Sequence, residues 1–253
     1  WRDAFQVDGT LQGEGLSLDW GSIQARGLDG DLVLDWRQGQ APRIRSRAPL
    51  TLANLDVGVP VTEVRMGVDT DLDQWCFEKI SAQLLGGEVR APGLRWPSSE
   101  WQPVVLTGIE LNQLAALQNE AVVSLTGEVG GYIPLRLAAD SVAVRDGRLA
   151  NETPLSLALL PAAGTQAMAE SNRAVSIALE ALNPLRVERF SAQVDMADDG
   201  WLDAAVHIRG TNPQRNGLPV VFNYTHKENV LELLRSLRIG ERITDRVMTE
   251  TRP

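Results

Sequence analysis

At 253 residues, 43% of them hydrophobic, the chain is long enough to bury a real core as one large β domain or two smaller ones. A formal net charge of −9 and an isoelectric point near 4.8 argue against the basic surface on which nucleic-acid binders rely. A single cysteine, Cys76, excludes an internal disulfide framework, and no second Cys or nearby His gives it metal-ligand spacing.

The chain begins at Trp1 rather than Met and shows neither a signal peptide nor a run of about 18 apolar residues, so it reads as a piece of a longer protein. From there, short bursts of apolar/polar alternation follow one another. "LSLDW" (16–20) and "LVLDW" (32–36) form a near-repeat, and "PLTLANL" (49–55), "VVSLTGEV" (122–129), "IPLRLA" (133–138) and "SVAVRDG" (141–147) continue the pattern. "PLSLALL" (154–160), "VSIALEAL" (175–182), "FSAQVDM" (190–196) and "LDAAVHI" (202–208) complete it. Counting every such run predicts roughly 15 to 18 strands. Asp-Gly and Gly-Gly pairs in "ARGLDGD" (25–31), "LLGGEVR" (84–90), "VRDGRLA" (144–150) and "ADDGWLD" (197–203) predict tight hairpins and hence mostly antiparallel neighbours.

Two segments depart from strand spacing. "IELNQLAALQN" (109–119) predicts a short helical excursion, whereas "AGTQAMAESNR" (163–173) fits a loop or a short helix equally. Near the end, Leu218, Val220, Phe222 and Tyr224 keep strand spacing, and then Val230, Leu231, Leu233, Leu234 and Leu237 follow one helical face. Thr225 and Glu228 read as a capping box and Gly240 as the stop. The expected organisation is a β segment over 1–120 ending in the helical excursion, a second β segment over 121–226, an amphipathic helix over 227–240 and a tail over 241–253. The fold class expected is all-β.

Catalytic chemistry finds little support. His207 and His226 are the only histidines, and both read as structural. Asp198 and Asp199 read as turn formers rather than an acid/base pair. No phosphate-binding glycine motif occurs, and "DTDLDQW" (69–75) lacks the Gly and terminal Glu of a calcium loop. We expect no enzyme, no cofactor and no metal site. The alternation itself is the informative feature, because an apolar sheet face must be covered by a second sheet, by helices or by a ligand. Two readings stay open: a sandwich or solenoid closed on its own core, or an open trough whose floor holds acyl chains.

The segments "LDVGVPVTEVRMGVDTDL" (55–72), "LLGGEVRAPGLRW" (84–96), "PVVLTGIELNQLAAL" (103–117) and "LTGEVGGYIPLRL…VAVRDGRLANETP" (125–154) occur in this order. "VERFSAQVDMADDGWLDAAVHIRGTNP" (187–213) and "GLPVVFNYTHKENVLELLRSLRIGERI" (217–243) follow them. Together they resemble the C-terminal part of the YdbH family of AsmA-like envelope proteins, relatives of TamB and YhdP. The resemblance implies an elongated, curved β-groove that crosses the periplasm of a Gram-negative bacterium from an inner-membrane anchor outside this segment and carries phospholipid between the two membranes. It also implies a small outer-membrane lipoprotein that continues the sheet from the C-terminal edge. The alternative is a closed structural module that supports secretion or envelope-protein assembly.

On that reading, strands about 4.8 Å apart make roughly 70–85 Å of groove. The floor residues expected from the alternation are Leu32, Leu34, Leu135, Leu137, Val142, Val144, Leu155, Leu157, Val175, Ile177, Val206, Ile208, Val220 and Phe222. A one-residue slip would invert the face each strand presents. The partner edge is expected on Leu218, Val220, Val221, Phe222, Asn223 and Tyr224. The helix carrying Val230, Leu231, Leu233, Leu234 and Leu237 reads as either a static cap or a moving gate.

Overall fold

The computed structural model describes residues 5–20, 23–116, 123–159, 173, 176, 180 and 183–236. Among them, fifteen strands join in one sheet. They are β1 (Gln6–Trp20), β2 (Ile23–Arg37), β3 (Arg43–Ser46), β4 (Leu50–Asp56), β5 (Pro60–Thr70), β6 (Trp75–Leu84), β7 (Gly87–Trp96) and β8 (Gln102–Glu110). Helix α1 (Leu111–Ala116) intervenes before β9 (Val123–Thr126), β10 (Glu128–Leu137), β11 (Val142–Asn151), β12 (Leu155–Leu159), β13 (Leu185–Met196), β14 (Trp201–Asn212) and β15 (Leu218–Asn229). Residues 230–236 form helix α2. Of the strand expected at 175–182 only residues 176 and 180 are described, and both are helical rather than extended, as is 173 at the end of the 163–173 segment; Val175, Ile177, Leu237 and Gly240 lie outside the described residues.

Every pairing is antiparallel. Three rows of the sheet are each built from two strands end to end. β3 and β4 both pair with β2 and β5, while β9 with β10 and β11 with β12 form the two arms of one kinked hairpin. The fifteen strands therefore make twelve rows in chain order, an up-and-down meander with β1 at one edge and β15 at the other. Twelve rows leave eleven gaps of about 4.8 Å, or about 53 Å. This corrects the expected 70–85 Å, which counted every strand as a separate row. β8 pairs directly with β10 across the boundary expected at 120/121, so the two expected β segments share one sheet.

The kink between β9 and β10 falls at Gly127, whose φ of +108° suits glycine, and a Cβ there would lie 2.7 Å from Leu155 Cδ2. The N–H of Leu111, the first residue of α1, donates to the Gly127 carbonyl at 3.0 Å, which seats the helix beside the break. Two of the four expected hairpin turns are not turns. Residues 25–31 lie within β2 and 144–150 within β11, where Gly27 (φ +69°) and Asp146 (φ +53°) sit beside register shifts. Gly and Asp tolerate the backbone of a bulge as well as that of a turn, and the long partner strands keep the ladder running past them. The turns at 84–87 and 197–200 form as expected.

The terminal helix starts later than the capping-box reading placed it. Thr225 and Glu228 belong to β15, opposite Ala205 and Leu202. Asn229 caps α2 instead, its Oδ1 accepting from the Glu232 N–H at 3.0 Å. Pairing with β14 extends the strand through Asn229 and outweighs the local T-x-x-E signal.

Three apolar clusters form the core. The largest joins Ile109, Leu111, Val129, Leu155, Leu185, Val187 and Ile208 around α1 and the β9–β12 end of the sheet. A second centres on Leu52, Val64 and Ala82, and a third on Ala192, Val194 and Ala204. All lie along the same sheet, and the sheet itself is strongly curved. Leu231 of α2 packs on Gly200 in the β13–β14 turn, and Leu234 packs on Gly58 in the β4–β5 turn. Those turns are seven rows apart, about 34 Å along the sheet, and sit at opposite strand ends. Neighbouring rows rotate by about 20–25°, so seven rows accumulate about 140–175°, enough to bring opposite ends round to one short helix.

Candidate functional site: an apolar inner face

Residues directly opposite each other in an antiparallel ladder point to the same face. From β6 to β15 the register aligns Ala82, Val89, Leu106, Gly131, Leu149, Ala192, Val206 and Tyr224 in one line across eight rows. Two residues along β6 from Ala82, Leu84 continues the line through Val61, Leu55, Ala25 and Leu18 to the other edge. No charged side chain interrupts this transect across all twelve rows.

Ten of the expected floor residues share that face. Leu135 opposes Val144 and Leu137 opposes Val142, while Leu155 opposes Val187 and Leu157 lies between Leu185 and Leu125. Val206 opposes Tyr224, Ile208 opposes Phe222, and Val220 opposes Gly210. Leu32 and Leu34 lie beyond the irregularities of β2, where they face Leu11, Gly9 and Ile44 as a second apolar patch. Along β13 and β14 this face alternates with an exposed one, yet no second sheet covers it among the described residues. Most of the described floor residues are partly buried, and Leu155 and Ile208 are buried.

Polar groups on or near this face are held by local partners. Gln102, opposite Leu135, is 7% exposed. Its Oε1 accepts from the Arg95 N–H and its Nε2 donates to the Arg95 carbonyl at 3.1 Å. The backbones of β7 and β8 pair only over Glu88–Arg90 and Val105–Thr107, so this amide acts as the next rung where the ladder stops. Asn212, fully buried, accepts from the Gln214 N–H and donates to the Glu180 carbonyl. Sequence spacing gave no signal for Gln102 or Asn229, since an amide reads the same whether it faces solvent or completes a ladder.

Charge is concentrated on the opposite face and in the turns. Arg43 forms a bidentate pair with Asp69 at 2.9 and 2.6 Å, and hydrogen bonding from Arg43 holds the Asp69 carboxyl below its ordinary range. Arg136 pairs with Asp198 in the β13–β14 turn, and this contact, followed by the Ser141 hydroxyl, likewise lowers the Asp198 pKa. The guanidinium groups of Arg136 and Arg145 both lie over the Trp101 ring, at 4.9 and 4.6 Å from its centre. The two histidines do not converge. His207 faces outward beside Asn223, whereas His226 faces inward opposite Ala204 and meets the Tyr224 hydroxyl at 3.1 Å. Among the described residues no cluster of His, Cys, Asp and Glu could hold a metal ion. No described helix is long and apolar enough to cross a membrane.

β15 pairs with β14 alone, leaving its outer edge without a described strand partner. Of the expected edge residues, Leu218, Val220, Phe222 and Tyr224 turn inward, while Val221, 62% exposed, and Asn223 turn outward. Phe222 and Tyr224 stack with ring centres 6.2 Å apart, so the aliphatic floor becomes aromatic at this last row.

A twelve-row meander with an uncharged inner transect carries no sharp local motif, and comparison with known proteins supplies the family. The YdbH-like family model, described as intermembrane phospholipid transport protein YdbH, matches residues 1–252. The chain belongs to the YdbH-like family. It is 28% identical over 229 residues to the "Probable phospholipid transport protein YdbH" of Escherichia coli (strain K12), across 87% of this chain and 26% of that protein. The chain thus spans about a quarter of the length of that YdbH. No solved structure matches.

Proposed function

We propose that this segment is the terminal part of a bridge that conducts phospholipid between the inner and outer membranes, with acyl chains on the inner face of the sheet and headgroups toward the open side. The uncharged transect from Leu18 to Tyr224 carries the reading. An acyl chain leaving such a floor for water loses about 0.8 kcal/mol per buried CH₂. Sliding along it exchanges one apolar contact for another and costs little. The work requires no catalytic residue. The family membership supports the substrate class, and our reading places the segment in the periplasm with the parent chain anchored in the inner membrane. The outer edge of β15, which has no strand partner among the described residues, is where a small outer-membrane lipoprotein would add its strand.

The test is a photo-crosslinking scan along β14 in the full-length protein, in cells. Inward positions 204, 206 and 208 should give phospholipid adducts, and outward positions 205, 207 and 209 should not. Adducts without this two-residue period would refute the groove. Absence of phospholipid at every position would instead favour the closed structural module.

A further inference from the structure

Helix α2 makes a contact that the strand order does not require. Its first turn is fixed to the β13–β14 turn: the Val230 N–H donates to the Gly200 carbonyl at 2.9 Å, and Asn229 Nδ2 donates to the Asp199 carbonyl at 3.2 Å. Leu231 lies so close to Gly200 that a Cβ there would sit 2.7 Å from Leu231 Cγ. One helical turn later, Leu234 meets the β4–β5 turn. A Cβ at Gly58 would fall 2.5 Å from the Leu234 carbonyl oxygen and 2.8 Å from its Cβ. Gly58 itself has φ +99° and its N–H donates to Asp56 Oδ1, which sets the turn's shape. Glycine at both positions lets the helix approach each turn more closely than any side chain would permit.

Strand contacts run between neighbouring rows, whereas this helix joins turns seven rows apart. It therefore acts across the mouth of the curved sheet, where no hydrogen-bonded closure occurs among the described residues. Building on the lipid-conducting reading, we propose that α2 is a releasable strap, hinged at Asn229 and Gly200. Docking of Leu234 on Gly58 holds the groove narrow, and undocking widens it for lipid to pass or leave.

The experiment locks and unlocks the strap in the full-length protein with Cys76→Ser. Gly58→Cys with Leu234→Cys places two Cβ atoms about 1 Å closer than a disulfide needs, a gap that a small outward shift of the turn supplies. The probe is phosphatidylethanolamine with a fluorescent acyl chain, offered in phosphatidylethanolamine/phosphatidylglycerol vesicles. Oxidation should slow release of bound probe at least tenfold, and reductant should restore it. The opposite variant, Gly58→Val, should speed both probe release and hydrogen exchange in 231–236 at least tenfold, and it carries the test if the disulfide does not form. Equal release in locked and unlocked forms, with probe still crosslinking at position 206, overturns the strap and leaves the conducting groove standing. No probe bound in any form overturns both.

Discussion

Replacing Gln102 tests whether one amide holds a seam of the sheet. Beyond Arg90 and Val105 the β7–β8 ladder has no further described rungs, and Gln102 supplies two hydrogen bonds to the backbone of Arg95. Two such bonds contribute about 1–3 kcal/mol net. Gln102→Leu keeps the volume but removes both, so the expected loss is about 1–3 kcal/mol. At roughly 2–4 °C per kcal/mol for a chain of this size, the midpoint falls by roughly 2–12 °C. Gln102→Glu adds a pH signature. A protonated Glu can still accept from the Arg95 N–H and donate to its carbonyl, whereas a carboxylate faces that carbonyl without a proton. Burial and the facing carbonyl raise the folded pKa above the unfolded value near about 4.3. The variant is thus close to wild type below that pH and loses stability as pH rises through the folded pKa. Thermal unfolding of both variants at several pH values measures this. A Gln102→Leu protein as stable as wild type, or a Gln102→Glu protein whose deficit is the same at pH 4 and pH 8, would refute the side-chain rung.

Leu185 is fully buried in the largest cluster, so Leu185→Ala should cost about 2–5 kcal/mol in urea unfolding, with Leu185→Met well tolerated. The Asp69 carboxyl has its pKa depressed by Arg43, so it contributes stability above its unfolded pKa of about 3.9 that is lost as pH falls through the lower folded value. Arg43→Gln should abolish this part of the acid sensitivity, so the stabilities of the two proteins should differ above about pH 4 and converge as the pH falls below it. Pro at Val221 or Asn223 should weaken strand addition at β15. Copurification of the lipoprotein partner, with hydrogen exchange in β13 as the folding control, measures it, and undiminished copurification would count against that edge.

The alternation was readable because an antiparallel strand with one sheltered face must repeat every two residues, as Val206, Ile208 and their neighbours do. Rows were harder to read than strands. Asp-Gly at 29–30 and 146–147 carries the same local chemistry whether it makes a turn or a bulge, and only the length of the partner strand decides. The Thr225–Glu228 motif failed for a similar reason, since its helix signal competed with a β14 partner encoded some twenty residues earlier. The docking of Leu234 on Gly58 had no local signature at all. A glycine in a turn is expected on any reading, and the accumulated twist of seven rows is not a property of any one stretch.

The meander has a consequence for how such a protein arises. Hydrogen bonds join each row only to its two neighbours, and most contacts run between adjacent rows, so the sheet approaches a quasi-one-dimensional array. A hairpin can be gained or lost in the interior without redesigning distant rows, and a chain leaving the ribosome can add rows in order as they emerge. The α2 contact with Gly58 is the exception. It links the helix after β15 to the earlier β4–β5 turn, so it forms after the rows it spans and fixes the number of rows between Gly58 and Gly200, while rows outside that interval remain free to vary.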